Sequence, residues 1–246
     1  LANGPGAAAR APGEVPSLDV GEAVRLAEAA VGRTVPDFEM RDRRGKPVRL
    51  SDFRGKPLLV SFIYTGCFEI CPTQTRTLYE SVKGLDVMLG QDQFNVVSIG
   101  FNQPFDAPEA MRAFAAQHRI QHRNWEFLSP RADQVDALTR AFGFSWVATP
   151  AGFDHVLGVT VVDADGRIHS QVLGDIVRAD RLGVPLGMQH RDAQQKAAAG
   201  RGGEPGPQAV TRHVAVEAHT GTDHGDAPNL GKTPGGDTPA QAQGTR

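Results

Sequence analysis

"PLLVSFIYTGCFEICPTQTRTLYESVKGL", residues 57–85, is the stretch on which the fold turns. Its first eight residues form a continuous apolar run of strand length, the pattern of a strand buried on both faces. From Pro72 the pattern becomes helical, with Leu78, Val82 and Leu85 on one face and a proline suited to a first helical turn. A buried strand feeding a helix is the unit of an α/β domain. At the handover lies "YTGCFEIC", residues 64–71, which holds both cysteines of the chain, Cys67 and Cys71, with three residues between them.

The flanking segments extend the alternation. "DFEMRDRRGKPVRL" (37–50) has two short extended runs around Arg44 and Gly45, a hairpin signal. Beyond the cysteine segment, "FNVVSIGF" (94–101) is a second buried strand, and "APEAMRAFAAQHR" (107–119) is a helix with Met111, Phe114 and Ala115 on one side. "NWEFL" (124–128) reads as a short strand, and "PRADQVDALTRAFGF" (130–144) as a helix with Val135, Leu138 and Phe142 facing inward. "LGVTVVDADGRIHSQVL" (157–173) reads as a hairpin around Asp165 and Gly166. "DIVRADRLGVPLGM" (175–188) is a helix interrupted by Gly183 and Pro185. Strands alternating with helices predict an α/β domain with a central mixed sheet, flanking helices and an N-terminal β-hairpin. Sites in such sheets form outside the carboxyl ends of strands, where the cysteines lie.

The ends differ from this middle. "LANGPGAAARAPGEVP" (1–16) has the Gly, Ala and Pro content of a linker, so residues 1–32 are expected to be flexible, with a short helix over 21–31. Residues 33–189 form the expected domain. Residues 190–246, rich in Gly, Pro, Ala and Gln, are expected to be disordered. The chain has 246 residues, 40% of them hydrophobic, and a formal net charge of −2. That balance gives no basic surface and disfavours nucleic acid as a partner. No run of about 18 apolar residues occurs. The start at Leu1 suits a membrane tether or signal segment lying upstream.

Two thiols four apart have three uses: a structural disulfide, a redox pair or two ligands of a metal. Cys71 precedes Pro72, which disfavours helical geometry at the residue before it, so Cys71 is expected at the helix N-cap. There the partial positive charge favours thiolate and predicts a thiol pKa below the free value of about 8.5. C-x-x-x-C is one residue longer than the thioredoxin-type C-x-x-C. It permits a bridge and also leaves room for an ion between the sulfurs. Two thiolates suit Cu(I), and with one imidazole they hold Cu(II), whereas structural zinc wants a fourth protein ligand.

A third ligand decides between these uses. Among the eight histidines, His118 and His122 end a helix and read as solvated, and His169 reads as an exposed strand face. His213, His219 and His224, with Met188 and His190, have two readings, a weak extra metal-loading segment or solvated side chains of the tail, and their irregular spacing favours the second. His155, in the loop "TPAGFDHVLG" ahead of a buried strand, is the candidate third ligand. In a thioredoxin-like topology that segment faces the N-terminus of the first core helix. Asp154 beside it is a candidate to orient the ring or the loop.

"FIYTGCFEICPTQT" (62–75) resembles the signature of the Sco/SenC family, copper-binding thioredoxin-like proteins involved in assembling cytochrome c oxidase. "GRTVPDFEMRDRRGKPVRLSDFRGKPLLVSFIYTGC", "IGFNQPFDAPEAMRAFAAQH" and "FDHVLGVTVVDADGRI" resemble further family segments, in order, over roughly residues 33–175. The resemblance implies a thioredoxin-like fold and copper ligation by Cys67, Cys71 and His155. It also implies a metallochaperone role towards oxidase subunit II or another copper-accepting protein, at the periplasmic or extracytoplasmic face of the membrane. A classical enzyme is not implied. The alternative is an extracytoplasmic thiol–disulfide oxidoreductase working through Cys67 and Cys71 as a redox pair. Two departures stand out. Phe68-Glu69 replaces the family's Pro-Asp, and Asn102 and Gln103 precede Pro104 where an aspartate is usual.

Overall fold

The computed structural model describes residues 16–67, 70–174 and 182. The interrupted helix expected over 175–188 (Leu182 apart), the disorder expected of 190–246, and Phe68 and Glu69 lie outside the described residues.

Seven strands form one mixed sheet. In chain order they are β1 (Glu39–Asp42), β2 (Pro47–Arg49), β3 (Leu58–Ile63), β4 (Asn95–Gly100), β5 (Trp125–Pro130), then, after a separate two-stranded ribbon of β6 (Trp146–Thr149) and β7 (Gly152–His155), β8 (Gly158–Val162) and β9 (Ile168–Leu173). The spatial order is β2-β1-β5-β4-β3-β8-β9. Strands β3, β4 and β5 pair in parallel, as helical crossovers require, while β1, β8 and β9 join antiparallel. The expected N-terminal hairpin is β1–β2, docked through β1 onto β5.

Strand β3 is buried along its whole length, between β4 and β8, which explains why all but one of its residues are apolar. Its one polar residue, Ser61, shares a hydrogen bond of 2.9 Å with Ser98 on β4, and the Trp125 indole N–H donates to Ser98 at 3.0 Å. Among the described residues, four α-helices flank the sheet: α1 (Val20–Ala30), α2 (Ile70–Leu89), α3 (Pro108–Gln117) and α4 (Val135–Phe142). The inward faces are those the spacing predicts. Leu78, Val82 and Leu85 of α2, Met111, Phe114 and Ala115 of α3, and Val135, Leu138 and Phe142 of α4 are all buried.

Helix α1 is packed. Asp19 caps it by accepting the Glu22 N–H at 2.9 Å, and Ala23, Ala27 and Ala30 are buried against β9 and α4. Helix α1 is the short helix expected over 21–31, but packed on the domain, so ordered structure begins upstream of residue 33. The ribbon β6–β7 is the second difference, because the segment from Thr149 to His155 reads as a loop. The ribbon brings His155, at the end of β7, to the cysteine turn.

Candidate metal centre

The chain leaves β3 at Ile63 and turns sharply. The Cys67 N–H donates to the Tyr64 carbonyl at 3.2 Å. Thr65 is held from a distant segment: its N–H and its hydroxyl both donate to Asp106 Oδ1, at 2.8 and 2.7 Å. Asp106 also accepts the Asn102 N–H at 2.8 Å on its other oxygen and is fully buried. Gly100 makes room for it, since a Cβ there would sit 2.5 Å from the Asp106 Cβ. The cysteine turn is thus fastened to the loop after β4.

Helix α2 begins at Ile70, so Cys71 lies within the first turn and not at the N-cap. The Cys71 N–H donates to Cys67 Sγ at 3.2 Å. The helix-end amide therefore serves the Cys67 sulfur. Cys71 itself is buried, and its thiol is pushed up, first by its hydrogen bond with Cys67 and then by burial, against a smaller downward pull from the Tyr64 backbone. The expectation of a low-pKa Cys71 is corrected: the hydrogen bond with Cys67 and, after it, burial outweigh the helix end. Neither cysteine is in a disulfide; Cys67 is half-buried and Cys71 buried.

His155 closes the arrangement from the other side. It is the last residue of β7 and pairs with Trp146 across the ribbon. Its Nε2 lies 3.7 Å from Cys71 Sγ, and its Nδ1 lies 3.1 Å from the Val156 carbonyl. A carbonyl only accepts, so Nδ1 carries the proton and Nε2 presents its lone pair to the thiols. Burial lowers the His155 pKa, which keeps the ring neutral. Tyr64, Phe101 and Phe144 surround it, with ring centroids 5.7 to 6.1 Å away.

Asp154 does not take the orienting role at the ring; Val156 holds Nδ1. Alternation along β7 turns the Asp154 side chain to the opposite face, where its Oδ2 accepts the Leu18 N–H at 3.0 Å. It ties the ribbon to the segment ahead of α1.

The structure brings Cys67 to Cys71 and Cys71 to His155. It does not draw the three into one closed set: among the described residues no group of three His, Cys, Asp or Glu side chains lies at metal-holding spacing. The donor chemistry nonetheless fits a thiophilic ion, with two sulfurs and one neutral imidazole nitrogen whose other N–H is taken by a carbonyl.

A sequence model of the SCO1/SenC family matches residues 27–178. The chain belongs to the SCO1/SenC family. The SCO1 protein homolog of Bacillus subtilis (strain 168) is 26% identical over 138 residues, covering 54% of this chain and 70% of that protein. The mitochondrial SCO2 homolog of Bos taurus is 27% identical over 147 residues, 57% of this chain, and the match spans only 53% of the bovine protein. Bradyrhizobium japonicum ScoI, solved with copper bound, superposes with a TM-score of 0.52 at 22% identity, over 65% of this chain and 99% of that one. BsSco, described with a disulfide switch and as a member of the Sco family of cytochrome c oxidase assembly proteins, gives 0.57 at 21% identity, over 64% and 94%. The thioredoxin-like fold is shared with these Sco structures.

Of the two departures from the Sco pattern, the second has a structural account. Asn102 donates its N–H to Asp106, and the Gln103 amide donates to the Gly100 and Asp106 carbonyls and to Ser129 Oγ, at 3.0 to 3.3 Å. The loop is braced from within. Sequence reasoning missed Asp106 and Tyr64. Asp106 acts 41 positions from Thr65, a separation that no local pattern reports. The Tyr64 ring packs on Phe101 and Phe153, and its phenol is pushed up to about 12, by burial first and then by a hydrogen bond with the Cys67 side chain. His122 is corrected: it is buried, stacked on Phe94, and donates from Nε2 to the Asp86 carboxylate at 3.1 Å. His118 is partly buried against Phe114. The tail histidines lie outside the described residues.

Proposed function

We propose that this Sco protein binds one copper ion through Cys67 Sγ, Cys71 Sγ and His155 Nε2 and passes it to a copper-accepting protein during assembly of cytochrome c oxidase. The observation that carries this reading is the approach of His155 Nε2 to Cys71 Sγ, 3.7 Å across two segments that are 84 positions apart. Copper bound in a solved Sco structure and the family's link to oxidase assembly support it. Subunit II of the oxidase is the recipient the family resemblance suggests, and the extracytoplasmic face of the membrane is where that transfer belongs. No helix among the described residues is long and apolar enough to cross a membrane.

The residues divide the work. The Val156 carbonyl fixes the imidazole tautomer so that Nε2 stays unprotonated. The helix-end amide at Cys67 favours negative charge on that sulfur. Burial of Cys71 and His155 excludes water from the exchange of soft ligands. Thr65 and Asp106 hold the turn so that Cys67 returns to the same place between metal-loaded and empty states.

Thiol–disulfide exchange is a second reading, favoured by two free cysteines in direct contact and by the disulfide switch described for BsSco. Titration of the reduced protein with Cu(II), followed by visible absorption, tests the first reading. A sulfur-to-copper charge-transfer band saturating at one equivalent is expected. No band, together with insulin reduction that survives His155→Ala, would leave only the second.

A further inference from the structure

The buried stripe of α2 runs through Cys71, Gln74, Leu78, Val82 and Leu85, and its second member is an amide where the spacing calls for an apolar side chain. Gln74 is only 3% exposed. Its Nε2 donates to the Gly158 carbonyl at 3.0 Å. Its Oε1 is buried and has no hydrogen-bond partner among the described residues. The two ends of the amide therefore act in opposite directions. An intramolecular hydrogen bond returns less to folding than an orphaned buried oxygen costs. An apolar side chain of similar length would pack there without that cost. Folding alone gives no reason for the amide, and such exceptions mark functional positions.

Its place in the fold supplies one. Gln74 lies three residues after Cys71, on the same face of α2. Gly158 lies three residues after His155, at the start of β8. Between His155 and Gly158 the backbone is held on several sides. The Val156 carbonyl fixes His155 Nδ1, and the Val156 N–H donates to the Ser145 carbonyl at 3.0 Å. The Leu157 carbonyl accepts the Gly174 N–H at 3.0 Å. Gly158 is pressed against β9, since a Cβ there would lie 2.6 Å from the Val172 carbonyl. The hold from the cysteine helix is the Gln74 amide.

We propose that Gln74 is a positioning residue: its amide ties the helix that carries Cys71 to the loop that follows His155, and so sets the 3.7 Å separation of sulfur and imidazole nitrogen. The inference rests on the reading that Cys71 and His155 act together on a soft metal ion. The tie acts through the loop backbone, whose Val156 carbonyl orients the ring. Losing it frees the loop from α2 and lets the ring drift from the sulfur.

Gln74→Met keeps the length and removes the amide. In the reduced, metal-free protein, hydrogen exchange of the Val156 amide is expected to speed up by about tenfold. The His155 ring protons, set among Tyr64, Phe101 and Phe144, are expected to move in the NMR spectrum. Cu(II) affinity by competition titration is expected to fall by about tenfold, while the melting temperature stays the same or rises. Gln74→Leu serves if the first variant folds poorly. Unchanged His155 resonances and Val156 exchange, whatever the melting temperature, would reduce Gln74 to packing and overturn the inference. A parent protein that takes up no Cu(II) would instead count against copper binding, and the two metal-free measurements would still decide the role of Gln74.

Discussion

Asp106 is the residue whose removal tests how the cysteine turn is held. Three donors converge on it: the Thr65 N–H, the Thr65 hydroxyl and the Asn102 N–H, at 2.8, 2.7 and 2.8 Å. Its pKa is raised, because burial outweighs the downward pull of the bonds from Thr65 and Asn102. The buried charge is therefore costly, while the acceptors are needed. Asp106→Asn keeps one oxygen for Thr65 and turns an NH2 towards the Asn102 N–H. Leaving one buried N–H without an acceptor costs about 1–3 kcal/mol, partly offset because no charge is buried. Asp106→Ala orphans both N–H groups and opens a void, for a loss of about 3–5 kcal/mol. Urea unfolding with linear extrapolation measures both losses. Alkylation of Cys67 should also become faster in Asp106→Asn as the turn loosens. Both variants falling within about 0.5 kcal/mol of the parent, the range of an ordinary surface change, would refute the reasoning.

Further predictions concern a histidine and the Asp154 tie. The His118 pKa is lowered, by burial first and by Arg76 second. Between its folded value and about 6.5 the unfolded chain therefore binds the extra proton, so its contribution to stability is present above that range and is lost as pH falls through it. His118→Gln should narrow the difference in unfolding free energy measured at about pH 7.5 and pH 5.5; His155 is lowered too, so the slope should shrink without vanishing, and an unchanged slope would contradict this. Asp154→Ala removes only an exposed carboxylate that accepts the Leu18 N–H, so unfolding should change by less than about 1 kcal/mol. Copper affinity by competition titration should stay within about threefold, and a larger drop would make Asp154, against the geometry, part of the ring's support.

The main sheet and helices α1 to α4 were legible because burial imposes periodicity on sequence. Strand β3 between two neighbours had to be apolar but for Ser61, which pairs with Ser98, and α2, α3 and α4 each bury one stripe. The ribbon was not legible. Its strands have four residues each, with Pro150 and Gly152 at the turn, and Trp146 and Val147 are both buried, so no alternation marks them. The partners of buried polar groups were also hidden, as His122 with Asp86 and Thr65 with Asp106 show, because each pair joins segments far apart in the chain. Cys67, Cys71 and His155 could be picked out as candidates, since cysteine spacing and a histidine before a strand are local signals. The ionisation of Cys71 could not be read, since a helix end is visible in sequence while the hydrogen bond with Cys67 and the depth of burial are not.

X-ray absorption at the copper K edge of the loaded protein tests the ligand set most directly. The account predicts two sulfur neighbours and one imidazole nitrogen, with the imidazole scattering lost in His155→Ala and the sulfur shell retained. A first shell of nitrogen and oxygen alone, or an imidazole signal that survives His155→Ala, would contradict it.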